Sequence, residues 1–284
     1  MTTLKVSHLK KHFGGVKALD GVSFEVHTGE CVALIGPNGA GKSTCFATLA
    51  GQHRPDYGTV EWGDEPQLKD ITGHSAAALS QLGIGRTFQV AQVFEALTVL
   101  QNLQLAAQQT LEPSRGFGAF LPLKMQPTAA QQALLDQLGL AQVIQTQALL
   151  LPYGLKKRLE LGIALAARPQ LLLLDEPAAG LAQAERHELM ALIKSLVQSS
   201  TTSASGLVDR QPIAVLYTEH NMDAVFGVAD RVLVLIDGQL AAQGTAAQVK
   251  ANPLVRQRYL GGNSNLNAPS VKSLEPTAAE VPHG

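Results

Sequence analysis

The chain has 284 residues, 45% of them hydrophobic, enough apolar material for one large or two small domains with a sizeable core. A formal net charge of −1 and a pI near 6.7 leave no basic footprint, which argues against a nucleic-acid binder. Two cysteines, Cys31 and Cys45, are too few for a disulfide framework, the N-terminus Met1–Val6 lacks the apolar core of an export signal, and no run of about 18 apolar residues offers a membrane span, so the expectation is a reducing compartment and membrane contact only through a partner.

Along the chain, Leu4–Val6 and Ala18–Val26 read as short strands with a turn at Gly14-Gly15 between them, and Gly58–Asp64 as a further strand and turn. The apolar run Cys31-Val32-Ala33-Leu34-Ile35 then delivers Gly36-Pro37-Asn38-Gly39-Ala40-Gly41-Lys42-Ser43-Thr44, which matches G-x-x-x-x-G-K-[ST] and predicts a bound nucleoside triphosphate. Glycines let this backbone close tightly around phosphate, so that successive N–H groups point inward at the start of the helix near Lys42. Lys42 neutralises β- and γ-phosphate charge, and the Ser43 hydroxyl is placed to ligate Mg2+.

From about Val93 to Leu165 the pattern changes to a helical spacing of Leu, Ala and Gln, with Leu100, Leu103 and Leu105 and then Leu134, Leu135 and Leu138, and predicts a helical subdomain. Within it, Glu112–Pro122 is rich in breakers and reads as an irregular loop, while Lys156-Lys157-Arg158, the densest basic cluster, reads as a solvated helix face. Strand character returns at Leu171–Leu174, Ile213–Tyr217 and Arg231–Ile236, where Asp237-Gly238 favours a hairpin into Gln239–Gln243. Such continuous apolar runs suit a sheet covered on both faces. Gln198–Pro212 reads as a surface loop and Asn263–Gly284 as a disordered tail.

Leu171-Leu172-Leu173-Leu174 ends in the paired carboxylates Asp175-Glu176. Beside a phosphate loop, Asp175 fits a Mg2+ ligand, direct or through water, and Glu176 a general base that polarises an attacking water. His220, which closes the strand Ala214–His220, can touch a γ-phosphate, although a lone histidine is more often structural. Gln89 in Gly85–Gln89 can offer its amide oxygen to metal or water, and by itself is a weak signal.

Taken in order, the phosphate loop, Gln89, Leu151-Pro152-Tyr153-Gly154-Leu155, Leu171–Glu176 and His220 resemble the ATP-binding subunit of ABC transporters over roughly residues 1–262. Pro177-Ala178-Ala179-Gly180-Leu181, with Arg86–Gln89 and Thr98–Asn102, is most similar to the branched-chain amino acid importer subgroup and its urea-importing relatives. The resemblance implies an α/β fold: a P-loop NTPase core with an antiparallel β subdomain and an inserted helical subdomain at about 93–165, within a nucleotide-binding domain of 1–262. It implies that Phe13 stacks on adenine, core packing being the alternative, and that Gly36–Thr44 hold ATP. Gln89 joins the Mg2+ and water site near the membrane partner. Glu176 becomes the catalytic base and His220 the γ-phosphate switch.

Family members pair head to tail, the signature motif of one subunit covering the phosphate loop of the other. The resemblance therefore implies a second ATPase subunit, identical or different, with membrane permease subunits and, indirectly, an extracytoplasmic solute-binding protein. The implied location is peripheral, on the cytoplasmic face of the membrane, and the implied activity is ATP hydrolysis that drives import of a branched-chain amino acid or a related small polar solute. Two departures stand out: Pro152 and Leu155 replace the Ser and Gln of the usual signature Leu-Ser-Gly-Gly-Gln, and Ala182 replaces a usual Asp or Asn. Proline is tolerated in a first helical turn, so Gly154 and the backbone N–H groups after it keep an anion site without the hydroxyl. The competing expectations are a non-transport ABC-type ATPase of DNA repair or the ribosome, and an ATP-binding regulatory subunit with weak hydrolysis.

Overall fold

The computed structural model describes residues 1–87, 92–111, 125–198 and 212–260. Strands β1 (Thr2–Phe13) and β2 (Val16–His27) form the first hairpin. Both are longer than their apolar runs predict. In β1 the buried residues Leu4 and Val6 alternate, and the register then shifts between Val6 and Leu9, where His8 takes a left-handed φ of 50°. That irregularity restores the inward direction of Leu9, which a strict period of two would have turned to solvent. With β4 (Tyr57–Asp64) and β5 (Lys69–Asp70) the hairpin makes a four-stranded antiparallel sheet in the order β2-β1-β4-β5.

The second sheet has six strands: β3 (Cys31–Ile35), β6 (Ile84–Arg86), β7 (Leu171–Asp175), β8 (Ala214–Thr218), β9 (Arg231–Ile236) and β10 (Gln239–Gly244). Their spatial order is β10-β9-β3-β8-β7-β6, all parallel except the β9–β10 hairpin that Asp237-Gly238 predicted. The continuous apolar runs are explained by two cores, one on each face. Cys31, Ala33, Ile35, Leu172, Leu174, Val215 and Tyr217 point to one side, while Val32, Leu34, Leu171, Leu173, Ala214 and Leu216 point to the other. The second set packs with Leu4, Val6 and Trp62 of the antiparallel sheet and with α1 (Lys42–Leu49). This is the α/β phosphate-loop fold that the sequence predicts. Both cysteines are free and buried in these cores, and burial pushes each thiol up to about 12, so neither is a reactive thiolate near neutrality.

Among the described residues the other α-helices of five residues or more are α2 (Ala76–Gln81), α3 (Val99–Leu111), α4 (Ala129–Gln137), α5 (Tyr153–Ala166), α6 (Gln183–Gln198), α7 (Met222–Phe226) and α8 (Ala246–Ala251). Leu103, Leu134, Leu135, Leu138 and Leu159 join α3, α4 and α5 to the first core. Helix α3 begins at Val99, where Thr98 caps it. The Thr98 hydroxyl accepts the Gln101 N–H (3.2 Å) while the Gln101 amide oxygen accepts the Thr98 N–H (2.9 Å), a reciprocal cap. Buried Asn102 fastens the turn before it, accepting from the Phe94 N–H (2.8 Å) and donating to the carbonyls of Phe94 (3.1 Å) and Thr98 (3.0 Å).

The basic cluster corrects its expectation. Lys157 is buried, 3.5 Å from Glu160; Lys156 reaches Glu95 at 3.6 Å, and Arg158 donates to the Leu138 carbonyl at 3.3 Å. Consecutive helical residues stand about 100° apart, so the three charges fan around the helix, and here Lys157 falls on the side that faces the core. Glu112–Pro122, nearly all of Gln198–Pro212 and the tail Asn263–Gly284 lie outside the described residues.

Candidate functional site

β3 lies between β8 and β9, and β7 lies beyond β8. In register, Thr218 of β8 stands opposite both Leu34 of β3 and Asp175 of β7, so the carboxyl ends of the three strands finish at one level. Open α/β sheets bind ligands at that edge. Gly36–Thr44 leaves it from β3, Asp175-Glu176 from β7 and His220 from β8.

In the phosphate loop, Gly41 caps α1 with φ 101°, and a Cβ there would strike the Ala18 carbonyl of β2, so only glycine fits. No side chain caps this helix, which leaves the first-turn N–H groups for an anion. The Gly238 N–H donates to the Ala40 carbonyl (3.1 Å), tying the loop to the β9–β10 turn. Lys42 is buried, and its ammonium donates to the carbonyls of Gly36 (2.7 Å) and Pro37 (2.9 Å). Burial pushes its pKa down, and the Glu176 carboxylate opposes that shift, which places Glu176 within electrostatic reach of the loop. Ser43 is exposed at the start of α1.

The acidic pair is held by β8. The Thr218 hydroxyl accepts the Glu176 N–H (2.9 Å) and donates to Asp175 Oδ1 (2.7 Å). Glu176 has a left-handed φ of 46°, a conformation that costs energy in a non-glycine residue and persists where neighbours enforce it. Its Oε1 lies 2.6 Å from Nε2 of His220, whose side chain is about half exposed. Arg86 at the end of β6 is partly buried, which lowers its pKa, and the charge of Asp175 acts against that. Sequence reasoning missed Thr218 and Glu219. The strand expected to run to His220 ends at Thr218, and the signal of these two residues was a polar pair between an apolar run and His220.

Gln89 lies outside the described residues. Its flanks are anchored: the Thr87 N–H donates to the Leu173 carbonyl (3.0 Å) and the Gln92 N–H to Glu160 Oε1 (3.4 Å). Phe13 is 45% exposed at the end of β1, edge-on to His53 (5.4 Å between ring centroids) with Lys11 Nζ 5.4 Å from its ring, so it is not a core residue. Gly154 sits in the first turn of α5, whose N-cap is Pro152 with φ −53° and no capping side chain. Glu185 of α6 comes close there: a Cβ on Gly154 would stand 2.6 Å from its Oε1, and its Oε2 accepts the Ala182 N–H at 3.3 Å. Sequence reasoning missed this carboxylate at the helix start.

Among the described residues no group of three or more His, Cys, Asp or Glu could cage a metal. Asp175 and Ser43 nevertheless supply hard oxygen donors of the kind magnesium takes singly beside nucleotide phosphates, so the residues present fit that ion.

The family model for the ABC transporter matches residues 19–179. The chain is 37% identical over 267 residues to the high-affinity branched-chain amino acid transport ATP-binding protein LivG of Escherichia coli (strain K12), covering 91% of this chain and 97% of LivG. It is 34% identical over 263 residues to the corresponding protein BraF of Pseudomonas aeruginosa, with 91% and 97% covered. Among solved structures, the ADP conformation of MJ1267, an ATP-binding cassette of an ABC transporter, superposes with a TM-score of 0.75 at 31% identity, covering 92% of this chain and 99% of that one.

Proposed function

The chain belongs to the ABC transporter family of ATP-binding cassettes, and from that premise we propose that it is the ATP-hydrolysing subunit of an importer for branched-chain amino acids or a related small polar solute. The observation that carries this reading is the meeting of the phosphate loop, Asp175-Glu176 and His220 at one sheet edge, with Glu176 Oε1 2.6 Å from His220 Nε2. Phe13 offers an exposed ring to adenine, and Gly36–Thr44 cradle the phosphates. Glu176 takes a proton from water as that water attacks the γ-phosphate in line. His220 orients the Glu176 carboxylate and reads the γ-phosphate, and Lys42 absorbs charge that develops on the phosphoryl oxygens. Ser43, Asp175 and Gln89 would hold Mg2+, which supplies charge neutralisation between the phosphates. Phe13, Gly154 and Gln89 take these roles by resemblance.

No helix among the described residues is long and apolar enough to cross a membrane. The proposed setting, which follows from the family resemblance, is peripheral, at the cytoplasmic face, on separate permease subunits fed by an extracytoplasmic solute-binding protein. Recovery of the protein from a detergent extract tests this. Mg2+-dependent ATPase activity in a particle with polytopic membrane subunits is the expected result, whereas co-purifying ribosomes or DNA would overturn the transport reading.

The signature end of this chain is proposed to be the weaker of a pair. Pro152 removes the hydroxyl, and Glu185 places negative charge at the helix N-terminus, where it satisfies the helix dipole and opposes an incoming phosphate. A different ATPase subunit with a better-formed signature is the partner this suits. In reconstituted heterodimers, Pro152→Ser is expected to raise the ATPase rate by about tenfold or more, the effect of one added hydrogen bond to a charged group. An unchanged rate and ATP affinity would sink the idea.

A further inference from the structure

Three consecutive residues at the end of β8 and just beyond it, Thr218, Glu219 and His220, meet the segment that follows β7, and only His220 has a chemical role so far. Thr218 holds Asp175 and the Glu176 N–H. Glu219, between Thr218 and His220, is only 4% exposed. A carboxylate is expensive to bury unless backbone donors surround it. Here Oε1 accepts the N–H of Ala178 (3.0 Å), two residues beyond Glu176, and Oε2 accepts the N–H of His220 (3.2 Å). The Asn221 N–H also bonds to this carboxylate. Burial pushes the Glu219 carboxyl above its ordinary range, these three N–H groups pull it back, and the Glu176 charge adds to the rise.

The bonds join two backbones that carry different parts of the site. On one side lies the turn Glu176-Pro177-Ala178, entered through the left-handed backbone of Glu176. On the other lies the start of the segment led by His220, whose ring is 2.6 Å from the Glu176 carboxylate. The side-chain contact is exposed to solvent at the His220 end and cannot by itself fix the geometry of either backbone. The buried carboxylate of Glu219 can. An aspartate there would be one methylene too short to span both donors.

We propose that Glu219 is a positioning residue for hydrolysis, a buried clamp that locks the Glu176–Ala178 turn to the His220 backbone so that the base and the histidine are carried as one unit. This rests on the reading of Glu176 and His220 as groups that act on ATP. The clamp predicts that its loss slows the chemical step and leaves nucleotide binding alone, because the phosphate loop on β3 is not among its partners.

Glu219→Gln tests it in the full-length protein with its partner subunits. Glutamine keeps the volume and one acceptor but turns an NH2 toward backbone N–H donors. The expected result is a kcat lower by about tenfold or more with KM for ATP within about twofold of wild type. In the nucleotide-free protein, hydrogen exchange at Ala178 and His220 is expected to quicken by at least about tenfold while Leu171–Leu174 and Ala214–Tyr217 stay protected. An unchanged kcat, unchanged exchange at those two amides, or an equal loss of protection across the sheet with KM rising in step would overturn the proposal. A wild-type protein without ATPase activity would remove the functional reading instead, and the exchange measurement would still decide whether the clamp exists.

Discussion

Glu176→Gln is expected to lower the ATPase kcat by about 10²–10⁴-fold while the affinity for ATP stays close to wild type. Glutamine has nearly the same shape, so the left-handed turn at Glu176 and the Thr218 hydroxyl that accepts its N–H remain. What is lost is the proton acceptor. His220 Nε2, now 2.6 Å from a carboxylate oxygen, would face an amide and could not substitute, since it would have to accept the water proton from a different position. Single-turnover hydrolysis together with equilibrium binding of a fluorescent ATP analogue separates the two effects. Hydrolysis at the original rate would remove Glu176 from the role of base.

The second large effect is expected from Lys42→Ala, which should weaken ATP binding and turnover together. Hydrogen bonds to charged groups contribute about 1.5–3 kcal/mol each, so losing the ammonium from two phosphates should raise the Kd for ATP by about 10²-fold or more. The structure adds a second cost. Lys42 Nζ also bonds the Gly36 and Pro37 carbonyls, so alanine leaves two loop carbonyls without this donor and loosens the cradle. Arginine should not rescue the variant, because its planar fork does not fit a slot shaped for a compact ammonium. Isothermal titration with ATP and Mg2+ measures the loss; an affinity within about twofold of wild type would contradict the assignment.

Each site feature that could be read from the sequence was contiguous. The phosphate loop, the apolar strand ending in Asp175-Glu176 and the strand ending at His220 each carry their signal within about ten residues, as local motifs do. The two-faced sheet was legible for the same reason, since four or five consecutive apolar residues leave no polar face. Boundaries were less legible. In β1 the irregularity at His8 breaks the alternation, so the apolar pattern marks only Leu4–Val6 of a strand that runs to Phe13.

By itself, then, the sequence determined which residues can hold a triphosphate and polarise water, because those chemistries depend on residue type at fixed short spacing. Only the tertiary structure decided what holds them. Thr218 meets Asp175 across 43 positions and Glu219 meets Ala178 across 41, contacts that exist because β7 and β8 are neighbours in the sheet. It also turned Lys157 inward, left Phe13 exposed, and brought Glu185 against Gly154 from another helix. No local pattern encodes such pairings, since they follow from strand order and helix packing, which bring distant side chains within the few ångströms over which hydrogen bonds and charges act.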